Sequence, residues 1–367
     1  MSTTGRTASG SSGVVETLGS AGFVRVVASR DGDSLAAVGL LGRAFGALGT
    51  PFQVSAVASR DAARERFDRV PEDDTALSVG VPTEDALSLD ADGPRSVAAY
   101  DVVRRLAPDA ADPALAIAGG LSTGWTPQGS VLDDADVSRR PGLGLPVADL
   151  ADGLAHSTLL SGPFSGDEGM AGALLAELEL PAELDDAAHR RLASRVALDV
   201  TEGAPPSAAD ALSRVLRPHV ADAPVATLEG YADVLDTVAR TDPGLGVAFA
   251  LSHADHADVL DAWRNAATRS HAAVRAADPA RYSGLVAVEC PDADPGIVAR
   301  LVRDFVADDP AALAVGDDTA ALAVSDGDAR DRLGDIVDAG TVGGTERVAT
   351  TTNADDDLAR VLAGGDR

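Results

Sequence analysis

One strand-turn-helix stretch, residues 26–41, limits what this chain can fold into. The apolar run Val26-Val27-Ala28 breaks at Ser29-Arg30-Asp31-Gly32-Asp33-Ser34 and re-enters as a helix of small residues. That helix carries Leu35, Val38, Leu41, Phe45 and Leu48 at three- and four-residue spacing, which gives it one buried face, and Gly49 suits its C-terminal cap. Ligands of open α/β sheets gather at such strand ends, where helix N-termini point free N–H groups outward. Asp31 and Asp33, two apart in the turn, admit two readings. They can share or flank divalent cations, as metal-assisted phosphoryl hydrolysis requires, or they can cap the helix, a position that Asp and Ser favour.

The same rhythm continues downstream. Residues 52–58 and 76–81 predict strands, 87–90 a short strand and 96–106 a helix, with a short exposed helix in the charged segment 60–74. Strands separated by helices in this way predict a parallel, doubly wound sheet. Residues 127–243 read as mostly helical, and 244–251 as a strand or a buried helix. Toward the C-terminus come a strand at 285–290, a helix at 295–306 with Ile297, Leu301 and Val302 inward, strands at 311–315 and 319–324, and a helix at 329–337. These form a second, smaller α/β unit.

Charge narrows the possible partners. Thirty basic residues, all of them Arg, stand against 58 acidic ones, a formal net charge of −28. This excludes a protein that holds nucleic acid with its whole surface, because phosphate binding rests on Lys and Arg, and confines any such contact to a local groove. The absence of Lys, the abundance of Asp and Ala and an aromatic content of 3% form the composition of an extreme halophile. Molar salt screens carboxylate repulsion to within about 3 Å. The single cysteine, Cys290, lies in an apolar run and excludes an internal disulfide and a cysteine-built zinc site. No stretch approaches the roughly 18 apolar residues of a membrane span, and the N-terminus is polar, so a soluble, cytoplasmic protein is expected.

The Asp31 turn resembles the first motif of the DHH phosphoesterase superfamily, in particular its RecJ-like nucleases, where a strand runs into His-x-Asp-x-Asp-Gly and a small-residue helix. Asp31 and Asp33 match the two aspartates, whereas Ser29 stands in place of a metal-binding His or Asp and Ser34 in place of Gly. Gly80, in Val79-Gly80-Val81-Pro82, takes the place of a strand-ending metal-binding Asp. No His-His follows Leu89-Asp90-Ala91-Asp92-Gly93, in which Asp90 is the candidate for the first residue of the name-giving triplet. Where the fourth motif ends a helix as Gly-x-x-x-Asp, the segment Ala118-Gly119-Gly120-Leu121-Ser122-Thr123-Gly124-Trp125 carries no carboxylate. Residues 340–349 resemble the glycine-rich signature of the DHH-associated domain, whose loop holds the substrate's phosphate backbone in the family. Gly343 and Gly344 remain there, Thr345 takes the histidine position and Arg347 keeps a positive charge nearby.

The resemblance implies a disordered tail (1–12), a DHH-like α/β domain (13–150), a helical connecting region (151–250) and a DHH-associated-like α/β domain (251–367). It implies two competing functions. One is a RecJ-like member without catalysis, a nucleic-acid-binding or protein-interaction subunit in DNA replication, repair or RNA processing. The family contains precedent in the eukaryotic replication factor that rides with the helicase and has lost its nuclease site. The other is an active single-strand exonuclease using Mn or Mg. Asp31, Asp33 and Asp90 are the remaining metal candidates, too few for a two-ion site, so no tightly bound cofactor is expected. Single-stranded DNA or RNA, or a protein partner, is expected in the cleft between the lobes, near Gly343, Gly344 and Arg347.

Two further His/Asp sets lie outside these motifs. Asp152 and His156 share a helical face at i, i+4 as a charge pair or a metal pair, and His253, Asp255, His256 and Asp258 open a helix where they either chelate or are solvated. A metabolic enzyme of another class would need a nucleophile motif, a P-loop or a dinucleotide fingerprint, and the chain has none.

Overall fold

The computed structural model describes residues 11–84, 86–89, 93–181, 183–354 and 358. Most of the expected tail, and the metal candidate Asp90, lie outside the described residues. Helix α1 (Ser11–Gly19) begins inside the last two tail positions.

The apolar run at residue 26 becomes β1 (Val24–Ser29), an inner strand of a four-stranded parallel sheet. It lies between β2 (Phe52–Val57) and β3 (Thr75–Val79), and β3 pairs in turn with β4 (Leu87–Ser88). Alternate β1 residues serve opposite faces. Val24, Val26 and Ala28 join a core with α2 (Gly32–Leu48), α4 (Arg95–Leu106) and α5 (Pro113–Ser122). Val27 packs on the other face with Ala63 and Phe67 of α3 (Arg60–Phe67). Helices on both faces make the sheet doubly wound, as the strand-helix rhythm predicts.

Between the two sheets come α6 (Ser130–Asp134), which packs on the first core, then α7 (Leu150–His156), α8 (Glu168–Glu177), α9 (Asp186–Thr201) and α10 (Ser207–Ser213), with a two-stranded ladder of β5 (Ser138–Arg139) and β6 (His219–Val220). Then α11 (Leu228–Thr241), α12 (Pro243–Ala250) and α13 (His256–Ala276) turn back onto the first sheet. Tyr231, Val234, Leu235, Phe249 and Trp263 share one buried cluster with Leu35 and Leu41. Residues 244–251 are therefore helical, and α2 is enclosed on nearly every side rather than along the single face its spacing predicts. Its small residues permit this, since a Cβ on Gly39 would collide with the Ala250 carbonyl of α12.

The C-terminal sheet runs β11-β12-β10-β9-β8-β7, built from β7 (Ala280–Tyr282), β8 (Leu285–Glu289), β9 (Ala311–Val315), β10 (Ala320–Val324), β11 (Val342–Gly344) and β12 (Val348–Thr351). Among its described pairings β8 and β9 alone are parallel, joined across α14 (Pro295–Phe305). Strict alternation sends Leu322 and Val324 toward α15 (Ala329–Gly334), and Ala321 and Ala323 toward α14. On α14, Val298, Ala299 and Val302 cover the sheet, while Ile297, Leu301 and Phe305 enter a second core with Leu192 and Val196 of α9. The inward set expected for this helix is thus divided between two cores, because α14 is sandwiched between its own sheet and the connecting helices. No helix among the described residues is long and apolar enough to cross a membrane.

Candidate nucleic-acid cleft

A cleft of about 1190 Å³ lies between the C-terminal end of the first sheet, α11, α14 and the turn between β11 and β12. Seven arginines and seven carboxylate residues are among the described residues that line it. A chain with almost twice as many acidic as basic residues has here a wall of balanced charge.

Asp31 and Asp33 follow β1; Asp33 lines the floor of this cleft, Asp31 is buried beside it, and both act as helix caps. Asp31 accepts from the backbone N–H of Ser34 at 2.8 Å and from the Ser34 hydroxyl at 3.0 Å, which closes the first turn of α2. Asp33 reaches the neighbouring helix, accepting from the N–H groups of Arg95 and Ser96 at 2.8 and 2.9 Å and from the Ser96 hydroxyl at 2.6 Å. Its carboxylate satisfies orphan donors at the start of α4, where Pro94 has no side chain to do so. Burial, together with the nearby Asp31 charge, pushes the Asp33 carboxyl up, against the lowering effect of Ser96 and Arg95.

The other charges of the floor come from α11, whose Glu229, Asp233, Asp236 and Arg240 recur at spacings of four, three and four residues and line the cleft together. Asp236 accepts from the Gly32 N–H at 2.9 Å and pairs with Arg240 Nε at 2.9 Å. Its burial would raise its pKa, but the Arg240 charge and hydrogen bond, aided by Arg300, hold the carboxyl down. Arg240 is itself buried, and Asp236, Asp294 and Asp31 outweigh the desolvation penalty and hold it firmly charged. Asp233 accepts from the Thr158 hydroxyl and N–H and from Trp263 Nε1; burial raises its pKa against these bonds and the Arg300 charge. Glu229 binds the backbone N–H and Nδ1 of His219, the latter at 2.7 Å.

The carboxylates of this floor are engaged by the protein's own donors. Both oxygens of Asp31, Asp33 and Asp236 already accept hydrogen bonds from the protein, and the Arg240 guanidinium supplies the cation that balances the floor. Ser29 and Gly80 add no carboxylate or imidazole. The sequence reading missed the α11 stripe, although its signal was legible: charges at helical spacing within a helix that is otherwise apolar enough to be buried.

Gly343 and Gly344 meet the first lobe directly. A Cβ on Gly343 would collide with the Ala58 carbonyl oxygen after β2, and Gly344 adopts φ +95°. Together with Ser29, Ser59 and Gly80 they line a small crevice of about 10 Å³ next to the main cleft. Arg347 projects into the main cleft, exposed, with one guanidinium nitrogen on the Ser325 carbonyl. On the same lobe, Arg300 Nη2 of α14 donates to the Thr158 hydroxyl at 2.8 Å.

Asp152 and His156 do meet on α7, His156 Nδ1 lying 2.9 Å from Asp152 Oδ1, and Arg264 grips the same carboxylate at 2.8 Å. Burial raises the Asp152 pKa, but Arg264 and His156 outweigh it and hold the carboxyl down. With Glu168 they form the one group of three His, Cys, Asp or Glu residues, among those described, whose ligand atoms all lie within 4.8 Å of each other. His253 and Asp258 are exposed, His256 is half-buried, and Asp255 caps α13 through the Ala257 N–H at 2.8 Å.

Comparison with known proteins places this geometry in a family. Residues 277–364 match the family model described as uncharacterized protein rrnAC1427, C-terminal domain. The uncharacterized protein rrnAC1427 of Haloarcula marismortui is 44% identical over 326 residues, covering 86% of this chain and 85% of that protein. Among solved structures, CDC45 from Entamoeba histolytica is similar at 9% identity and a TM-score of 0.56, across 96% of this chain and 98% of that one. RecJ from Thermus thermophilus, solved with Mn²⁺, is matched at 15% identity and a TM-score of 0.46; the match covers 96% of this chain and 53% of that one, so the chain spans about half its length. The chain carries the two-lobed DHH-type α/β fold and belongs to the family of the Haloarcula marismortui protein rrnAC1427.

Proposed function

We propose that this protein binds single-stranded DNA or RNA in the cleft between its lobes without cutting it, as a subunit in replication, repair or RNA processing. The observation that carries the reading is the local charge: in a chain of net charge −28, seven arginines offset the seven carboxylates of this cleft, and Arg139, Arg300 and Arg347 among them donate to neutral carbonyl or hydroxyl oxygens. Phosphate binding needs such cations, and nothing in overall composition would place them together. Arg347 is the main phosphate contact, since its guanidinium is exposed and stays charged at any working pH. The absence of cutting follows from the floor, where the carboxylates that a two-ion hydrolysis would need cap α2 and α4 or pair with Arg240. The superfamily this chain resembles has precedent for a member that has lost its nuclease site, and the likeness to CDC45 supports the shared fold.

The test incubates labelled single-stranded DNA and RNA with the protein and manganese over a series of KCl concentrations, and compares wild type with Arg347→Ala. The expected result is strand retention without degradation, weakened by Arg347→Ala, with a smaller salt slope for the variant. Degradation by wild type that EDTA abolishes would restore the exonuclease reading. Failure to retain either strand at any salt would leave the cleft to a protein partner and overturn the proposal.

A further inference from the structure

We infer that Trp125 is a stacking platform for one base of the strand, an inference that rests on the single-strand reading of the cleft. The chain has twelve aromatic residues in 367, and eight of them are buried. The remaining four are Phe23, Phe52, Trp125 and Tyr282, and Trp125 alone of these lines the cleft. Trp125 packs part of its surface on the core of the first lobe and leaves the rest half-exposed in the cleft, and base stacking is a use for that part in a cleft lined by arginines.

Its position is built rather than incidental. Helix α5 ends in a turn in which Thr123 N–H donates to Gly120 O at 3.0 Å, and Gly124, at φ +82°, reverses the chain. Trp125 N–H then donates back to Gly120 O at 3.3 Å. The indole edge settles against Gly120, where a Cβ would stand 2.6 Å from Trp125 Cε3. The ring is thus seated on backbone, and little freedom is lost when a base lands on it. Nε1 makes no hydrogen bond among the described residues. Pro94 and Arg95, at the start of α4, share this end of the cleft, while Arg300 and Arg347 stand on the opposite lobe to take the backbone of the same strand.

The chain's own tryptophans provide the assay. Trp263 is fully buried but bonds Asp233 of the cleft, so the emission change of Trp125→Phe gives its share and the difference from wild type reports Trp125. Wild type, Trp125→Phe and Trp125→Ala are titrated with an oligothymidylate and with an abasic strand of equal length and charge, following emission and the anisotropy of a labelled strand. Oligothymidylate should quench wild-type emission, and Trp125→Ala should bind it about 5- to 150-fold more weakly, with Trp125→Phe between. The abasic strand should bind wild type and Trp125→Ala alike. The Trp125→Ala deficit should persist at every salt concentration, unlike that of Arg347→Ala, because stacking releases no counterions.

Equal binding of oligothymidylate by wild type and Trp125→Ala, or equal binding of both strands by wild type, would overturn the stacking role while the single-strand reading stands. No anisotropy change with either strand would remove both.

Discussion

Replacing Asp33 by alanine separates a capping carboxylate from a metal-binding one. The side chain is fully buried and accepts from two backbone N–H groups at the start of α4. Alanine strands both donors, at about 1–3 kcal/mol each. The Ser96 hydroxyl keeps a partner in the Ala116 carbonyl at 2.9 Å and adds nothing to this cost. Burial of the carboxylate is itself unfavourable, as its raised pKa shows, and removing it recovers part of the loss. A net destabilisation of about 2–4 kcal/mol results. For a chain of 367 residues the unfolding entropy is about 0.8 kcal/mol/K, which corresponds to a melting temperature lower by about 3–5 °C. Asparagine should recover only part of the loss, since its one oxygen can keep the Ser96 bonds but its NH2 donor is set against the Arg95 N–H, which stays unpaired. The assay is thermal unfolding followed by far-UV circular dichroism in molar KCl, with EDTA or with manganese. A metal ligand would behave in the opposite way: deleting one of two adjacent carboxylates would relieve repulsion and leave the apo protein as stable or more so, and manganese would stabilise wild type alone. An Asp33→Ala protein that melts at or above wild type in EDTA refutes the capping account.

Two further outcomes follow from buried or clustered histidines. His271 donates from Nε2 to the Ser157 carbonyl at 3.0 Å while its Nδ1 has no hydrogen-bond partner, and burial, joined by Arg275, His156 and Arg300, holds its pKa down to about 4. Its folded pKa lies below the unfolded value of about 6.5, so its contribution is fully present above that pH and is lost as pH falls toward about 4. Denaturant unfolding should show wild type losing about 3 kcal/mol more than His271→Gln across this window; parallel losses would refute the assignment. Calorimetric titration with manganese in molar KCl should find no more than one site, of about millimolar affinity or weaker, at Asp152, His156 and Glu168, and His156→Ala should remove it. Two tight sites would contradict the donor geometry of the cleft floor.

Local pattern was enough to define the class of fold and its longer elements. The Asp-x-Asp turn after an apolar strand, the run of small residues behind it and the alternation after residue 285 read directly as β1, α2 and the strands β8, β9 and β10, because strand and helix periods are properties of neighbouring residues, whereas the short strands β7, β11 and β12 carry too few residues for a period and were not read. The two readings of Asp31 and Asp33 could not be separated in that way. Whether a carboxylate caps a helix or holds a metal depends on which donors reach it, and those of Asp33 come from Arg95 and Ser96, more than sixty residues away. The same holds for Arg240, whose role rests on Asp31, Asp236 and Asp294 meeting around it, and for Trp125, which in sequence is one aromatic residue in a turn. Even the enclosure of α2 was beyond its own periodicity, since α11 and α12 cover it from far downstream, in the second half of the chain. Sequence determines the periods along each segment; the partners of a buried charge are decided only when distant segments pack, because burial removes water as the alternative partner and leaves each polar group to be satisfied by whatever the fold brings near.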